Sequence, residues 1–330
     1  MMKPFPNRIP MANLPTRIEM LNRFSQELGV SVFIKRDDLT GMEFSGNKIR
    51  KLEYSVAEAV NMGADTLITC GGLQSNHCRA TAAVAVKLGL RCCLVLRNGE
   101  PEPPADGNYF IDKILGADVR IIDAESYRSR RGEIMEKIAE EYNAAGHKAY
   151  IIPEGASNGI GTFGYLTCMQ EIMEQEKLLG VTFDTIIDAV GSGGTFAGLC
   201  LANRLYGLNK RIAGVNVCDD AEFFQKRVSE IVEEAGRYLD EPVEIRPEEV
   251  EILDGYVGRG YALSRKEELD FIRDFARKEG IILDPVYTGK CLYGFTKEFE
   301  KGRFSDSKNI LFIHTGGLFG LFPARDQFTF

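Results

Sequence analysis

A chain of 330 residues, 44% hydrophobic and 27% charged, can bury a substantial core as one large domain or two medium ones. Its 40 basic and 48 acidic residues leave a net charge of -8 with no dense Lys/Arg stripe, which argues against a nucleic-acid partner. No apolar run reaches the ~18 residues of a membrane span, and the eight cysteines include no CxxC pair, which argues against a zinc or other metal site.

The opening Met1-Met2-Lys3-Pro4-Phe5-Pro6 lacks the apolar core of a signal peptide. Cys70, Cys92, Cys93, Cys168 and Cys200 lie inside apolar segments, as reduced thiols of a cytoplasmic protein do. Residues 4–17 are Pro- and Asn-rich and predict an extended surface run. An amphipathic helix is predicted over 16–29 and a strand over 32–35, followed by a polar loop at 36–41. Ser45-Gly46-Asn47 then leads into Ile49, Leu52, Val56 and Ala59, a helical spacing that places Lys48 in the first turn. A helix N-terminus disfavours an ammonium, although position alone leaves Lys48 an ordinary solvated lysine.

Beyond this point the pattern is regular. Strands are predicted over 66–70, 92–96, 119–122 and 149–152, with helices over 75–88, 108–115 and 131–145 and a Pro-rich surface loop at 101–107. The second half repeats the alternation, with helices over 162–179, 195–206, 221–238, 264–279 and 289–301. Its strands fall at 185–190, 211–217 and 310–313. Short apolar strands alternating with helices predict an α/β protein with mainly parallel twisted sheets covered on both faces. The units are too numerous for one sheet. Two domains are expected, 1–50 together with 161–330 as the larger and 51–160 as the smaller, with a site in the cleft between them.

Three loops join strand ends to helix starts, where open parallel sheets place ligands. Gly71-Gly72-Leu73-Gln74-Ser75-Asn76-His77 gathers a hydroxyl, two amides and an imidazole; a capped helix entry accounts for Ser75 or Asn76 but not the whole cluster. Gly191-Ser192-Gly193-Gly194-Thr195 lets backbone N–H groups converge on an anion at a helix start, which fits phosphate better than a plain tight turn. With Phe196 in place of a third glycine and no GK[ST] ending, it is neither a dinucleotide fingerprint nor a P-loop. The third loop is His314-Thr315-Gly316-Gly317. Upstream of it lie Asp284-Pro285-Val286-Tyr287-Thr288 and the glycine-flanked Tyr261. His147, beside Gly146, reads as a surface residue.

These motifs, in this order and over nearly the whole chain, resemble the fold type II (tryptophan synthase β-like) pyridoxal-phosphate enzymes. The resemblance is nearest to the branch holding 1-aminocyclopropane-1-carboxylate deaminase and D-cysteine desulfhydrase. It implies pyridoxal 5'-phosphate as cofactor, with Lys48 forming the Schiff base. Asn76 would meet the cofactor's phenolic oxygen, and Gly191, Ser192, Gly193, Gly194 and Thr195 its phosphate. Asn47, Thr288, Thr315 and Gly316 would complete the cofactor site. Ser75, Asn76 and His77 would hold the substrate carboxylate, and Tyr261 and Tyr287 would flank the reacting carbon as acid–base or leaving-group partners. A homodimer is the family habit. The deaminase pattern carries Glu and Leu where this chain has Thr288 and Thr315, which is the desulfhydrase pattern. A neutral hydroxyl leaves the pyridine nitrogen largely unprotonated and the ring a weaker electron sink. Such a sink suits loss of a good β-leaving group better than opening of a cyclopropane. The expectation is α,β-elimination from a small amino acid, D-cysteine first, to pyruvate, sulfide and ammonia. The cyclopropane deaminase, a sulfo-lyase acting on L-cysteate, a β-replacement synthase and a nicotinamide-dependent oxidoreductase stand as alternatives.

Overall fold

The structure, a computed structural model, describes residues 5–100 and 103–330. Residues 1–4, and the first two positions of the loop expected at 101–107, lie outside the described residues.

In chain order the first elements are β1 (Ile18–Met20), α1 (Asn22–Leu28), β2 (Ser31–Lys35) and α2 (Lys48–Asn61). There follow β3 (Thr66–Gly72), α3 (Asn76–Lys87), β4 (Arg91–Arg97), α4 (Gly107–Ile114) and β5 (Asp118–Ile122). Next come α5 (Ala124–Ala144), β6 (Ala149–Ile151), α6 (Phe163–Leu179), β7 (Thr185–Val190) and α7 (Gly194–Leu205). The last are β8 (Arg211–Asn216), α8 (Ala221–Ala235), β9 (Glu251–Leu253), α9 (Lys266–Glu279), α10 (Thr288–Glu300) and β10 (Asn309–Ile313).

The strands form two sheets. One is six-stranded, in the order β1-β2-β10-β7-β8-β9, and the other four-stranded, in the order β5-β4-β3-β6. All pairings are parallel except β1 with β2. The apolar runs explain this arrangement. In β7, Ile186 and Val190 enter one core while Ile187 and Ala189 enter the other, so both faces are covered. In β3, Leu67 packs on one side and Ile68 and Cys70 on the other. The apolar side chains of α2, Ile49, Leu52, Val56 and Ala59, lie in the core of the four-stranded sheet. Lys48 therefore stands at the joint between the two halves. All eight cysteines are free.

Four segments differ from the sequence expectation. The helix expected over 16–29 is a strand followed by a helix, because Ile18, Glu19 and Met20 pair with Lys35, Ile34 and Phe33 at the sheet edge. α5 begins at Ala124 rather than near 131, since the Asp123 carboxylate caps the Ser126 N–H at 2.9 Å. β9 and a 3-10 segment, Leu318–Gln327, lie in stretches without an apolar period to announce them. Among the described residues no helix is long and apolar enough to cross a membrane.

Candidate active site

The strand ends of both sheets meet around a cavity of ≈ 1120 Å³. Lys48 lines it from the N-terminal turn of α2. Its Nζ donates to Asn47 Oδ1 at 2.9 Å and lies 5.6 Å from the centre of the Tyr287 ring. Desolvation lowers its pKa from 10.5 to about 8, with Arg79 acting in the same sense and the carboxylates of Asp188, Asp284 and Glu154 opposing. This lysine keeps a sizeable neutral fraction near neutral pH, as a nucleophilic or basic amine requires. Asn47 ties the turn before Lys48 to the 191–195 loop, because its Nδ2 donates to Thr195 Oγ1 at 2.8 Å.

Gly191, Ser192, Gly193 and Thr195 line the cavity at the start of α7. Gly193 sits at φ 85 as the residue before the helix, and the first N–H groups of a helix have no acceptor within it. A Cβ on Gly191 would lie 2.9 Å from Tyr287 Cε1, and one on Gly194 would lie 2.6 Å from Ser157 Oγ, so both glycines are demanded by close approach. The Gly194 N–H donates to Ser157 Oγ at 3.2 Å, which is 2.8 Å from Ser192 Oγ. Lys51, one turn beyond Lys48 and fully buried, donates to the same Ser157 oxygen at 3.3 Å. Helix-start N–H groups, two hydroxyls and a buried amine thus converge where a phosphate dianion fits.

Lys51 and Ser157 were not foreseen from the sequence. A signal was available: Glu154-Gly155-Ala156-Ser157-Asn158-Gly159 is a fourth small, polar loop after a strand, β6. Lys51 gave no signal of its own, since its burial depends on the partner loop.

On the opposite wall, Ser75 caps α3 by accepting the Cys78 N–H at 3.2 Å, which leaves its proton free to donate. Asn108 donates to Asn76 Oδ1 at 3.0 Å and accepts from Arg79 Nε at 2.7 Å. The Asn76 amide is thereby turned so that its NH2 can donate toward the cavity. His77 behaves differently from expectation. Thr69 gives its hydroxyl proton to the Ile152 carbonyl at 2.7 Å, so at 2.8 Å it accepts from His77 Nε2–H. Desolvation, with Lys48 and Lys51 nearby, keeps the imidazole neutral. His77 Nδ1 is then a buried acceptor without a partner among the described residues. The imidazole has no N–H left for a carboxylate; the N–H that His77 can offer is its backbone one, at the start of α3.

Tyr261 and Tyr287 meet at the mouth, oxygen to oxygen at 2.6 Å. Burial pushes both phenols upward, so both are protonated near neutrality and one O–H remains to donate outward. Thr315 lines the cavity and its carbonyl accepts the Asn47 N–H at 3.1 Å. The Thr315 hydroxyl has no partner among the described residues. Thr288 does not line the cavity: its Oγ1 donates to Asp284 Oδ1 at 2.7 Å at the start of α10. Gly194 and Gly316 lie behind the lining, and Gly316 packs on Gly46, where a Cβ would meet Gly46 Cα at 2.7 Å.

Two α/β halves, a lysine of lowered pKa between them and an anion cradle at a helix start define a fold type II enzyme built for a phosphorylated aldehyde cofactor. The comparisons agree. The family model "Pyridoxal-phosphate dependent enzyme" matches residues 9–316, and the chain belongs to that family. It is 40% identical over 99% of its length, and 82% of the relative's, to the mitochondrial bifunctional D-cysteine desulfhydrase/1-aminocyclopropane-1-carboxylate deaminase of Arabidopsis thaliana. It is 43% identical to a putative 1-aminocyclopropane-1-carboxylate deaminase of Thermotoga maritima, covering 96% of this chain and 97% of that one. A crystal structure of an ACC deaminase homologue superposes with a TM-score of 0.90 at 42% identity, covering 98% of this chain and 95% of the other. The cofactor is pyridoxal 5'-phosphate, and the residues above fit it.

Proposed function

We propose that this enzyme carries out α,β-elimination on a small β-substituted amino acid, with D-cysteine as the substrate to test first. The names of its relatives support a desulfhydrase or deaminase, and the chemistry of its own residues favours the former. When bound, the cofactor supplies an electron sink that acidifies the substrate's Cα proton.

The remaining work falls to the chain. The N–H groups of the 191–195 loop, with Lys51, Ser157 and Ser192, hold the phosphate. Asn47 steadies Lys48, and Asn76, aimed by Asn108, donates to the cofactor's phenolic oxygen. Ser75 and the first N–H groups of α3 hold the substrate carboxylate. Lys48, released as a neutral amine, takes the Cα proton onto Nζ. The Tyr261–Tyr287 pair donates to the departing group at Cβ. For cysteine the C–S bond breaks with its electron pair on sulfur, and water from solvent completes release of pyruvate and ammonia. We infer further that the two sheets act as domains, 1–50 with 161–330 and 51–160, closing on the cleft. A cytoplasmic homodimer is part of the same reading.

The observation that carries this reading is Lys48 at the cleft, its amine 5.6 Å from the centre of the Tyr287 ring and its pKa lowered by desolvation to about 8. Thr315, an uncharged group lining the cavity, favours elimination over cyclopropane opening. Thr288 contributes less, being held by Asp284. The test is to assay pyruvate and sulfide from D-cysteine beside 2-oxobutanoate from 1-aminocyclopropane-1-carboxylate. Pyruvate with sulfide is expected, and 2-oxobutanoate alone would overturn the choice. Lys48→Ala should lose at least ~10³-fold in rate and the absorbance that borohydride fixes to the protein. Undiminished activity in that variant would sink the role given to Lys48.

A further inference from the structure

One acidic group beneath the phosphate cradle has no part in the chemistry above. Asp188 lies in β7, an interior strand between β10 and β8 that runs on into Gly191. The alternation of the strand puts it on the face of Ile186 and Val190, and Val190 lines the cavity. Asp188 is fully buried, and neither oxygen of its carboxyl has a hydrogen-bond partner among the described residues, the Ala189 N–H making only a weak approach. Burial pushes the carboxyl up to about 8, against the pull of Lys48 and Lys51. An unpartnered acid of this kind keeps its proton at neutral pH.

The groups that face Asp188 single out one partner. Besides the two amines they are Asp37, Tyr165 of α6, Cys200 of α7 and Cys291 of α10. Burial keeps the phenol and both thiols protonated, and Arg50 pairs with the Asp37 carboxylate at 2.8 Å. Lys51 is as buried as Asp188; among the described residues it makes one hydrogen bond, to Ser157 Oγ at 3.3 Å, so an ammonium there has N–H donors to spare. Burial lowers its pKa well below 10.5, Lys48 acts in the same sense, and Asp188 opposes. The two other carboxylates that act on Lys48 are engaged elsewhere. Asp284 accepts the N–H groups of Val286, Tyr287 and Thr288, and Glu154 accepts the Tyr127 hydroxyl. Lys51 thus touches the cradle through Ser157, and Asp188 is the carboxyl left to balance its charge.

We propose that Asp188 is a positioning residue for the cofactor's phosphate and shares one proton with Lys51: Asp188 holds it while the cradle is empty, and Lys51 carries it once a phosphate dianion is bound. This rests on the phosphate placement given above. A dianion against Ser157 favours an ammonium at Lys51 more than it penalises Asp188, which lies behind the cavity lining, because Coulomb energy falls with distance. The proton leaves a carboxyl oxygen of Asp188 and arrives on Lys51 Nζ by exchange with solution. The pair keeps one proton in both states, and no other bond forms or breaks. Without Asp188, Lys51 has to draw that proton from solution as the phosphate binds.

Calorimetry on the full chain freed of cofactor tests this, with pyridoxine 5'-phosphate as ligand, which has the phosphate but no aldehyde to react with Lys48. Titrations at about pH 7.5, where a phosphate monoester is almost wholly a dianion, in buffers of different ionisation enthalpy give the protons taken up per ligand bound. Asp188→Asn should take up about one proton more than wild type and bind roughly tenfold more weakly, the equivalent of one pKa unit. Lys51→Met should erase the difference, so that proton uptake is the same with and without Asp188→Asn in that background. Pyridoxine, which lacks the phosphate, should show no such difference either. A merely structural role would change affinity and leave the proton count alone. Equal uptake by wild type and Asp188→Asn would overturn the proposal and leave the cradle in place. So would a difference that survives Lys51→Met or appears with pyridoxine, or tighter binding by Asp188→Asn. Pyridoxine held by wild type as tightly as its phosphate would remove the cradle itself, and the role of Asp188 with it. Should Asp188→Asn fail to fold, Asp188→Val, suited to an interior strand, takes its place with the same expectations.

Discussion

Lys48 shows how little a single residue type says until its surroundings are known. At the start of α2 it has the ordinary exposed prospects of a lysine, yet desolvation in the cleft lowers its pKa to about 8. Only the neutral amine captures an aldehyde, so cofactor capture by apo-protein should quicken as pH rises and level off above about 8. Stopped-flow absorbance on apo-protein checks this, and a rate independent of pH between 6.5 and 9 (roughly the window set by that pKa) would contradict it. The other chemistry-bearing residues divide by legibility. Ser75, Asn76, Tyr261 and Tyr287 were visible as polar or aromatic residues in strand-end or glycine-flanked loops. Lys51 and Asn108 were not, since each matters only through a partner distant in the chain: Ser157 for the first, Asn76 and Arg79 for the second. The tautomer of the His77 imidazole was not legible either, because Thr69, eight residues away, takes its single N–H.

At the scale of elements, the site is a set of strand ends and helix starts, and glycine decides how closely they approach. The 191–195 loop can wrap an anion because its glycines leave the N–H groups of α7 uncovered. Gly194→Ala would put a methyl 2.6 Å from Ser157 Oγ, displacing the hydroxyl that also receives Lys51. Cofactor affinity should fall by about 10–100-fold, the loss of one or two charge-assisted hydrogen bonds, while the fold persists. Equilibrium dialysis against pyridoxal phosphate measures it; unchanged affinity would remove Ser157 and Lys51 from the phosphate site. The helix starts at Lys48, Asn76 and Gly194 were legible from small polar residues ahead of apolar periods. β1 was not, because three residues pairing across a sheet edge carry no periodic signal of their own.

Across the whole molecule, the joint between the halves is held by a buried ionic cluster under α2. Arg50 donates to Asp37 through Nε at 2.8 Å and to Glu171 through Nη1 at 2.9 Å, and Tyr165 donates to Asp37 at 2.5 Å. Glu171 also pairs with Lys35 of β2. These bonds tie the turn that carries Lys48 to β2 and α6 of the larger sheet. Arg50→Ala would strand the Asp37 carboxylate in the interior and leave Glu171 with Lys35 alone, at about 3–5 kcal/mol. Urea denaturation should show the loss, and a change under ~1 kcal/mol, the range of a surface pair, would refute the structural role. Burial pushes the Asp37 carboxyl up, but Arg50 outweighs it and the pKa falls from 3.8 to about 2. Its contribution is therefore complete above about pH 4 and is lost as the pH falls toward 2.

By itself the sequence determined the alternation of strands and helices, the parallel sheets and the loops that gather at their ends. Those follow from local apolar periods and turn chemistry, which need no distant partner. It also carried the motif order of the pyridoxal-phosphate family. The tertiary structure alone decided which groups meet: Lys51 on Ser157, Asn108 behind Asn76, Thr288 turned toward Asp284, and Arg97 set between two tyrosines. The physical reason is that burial, pairing and proton position belong to contacts across the cleft, between residues that periodicity cannot relate.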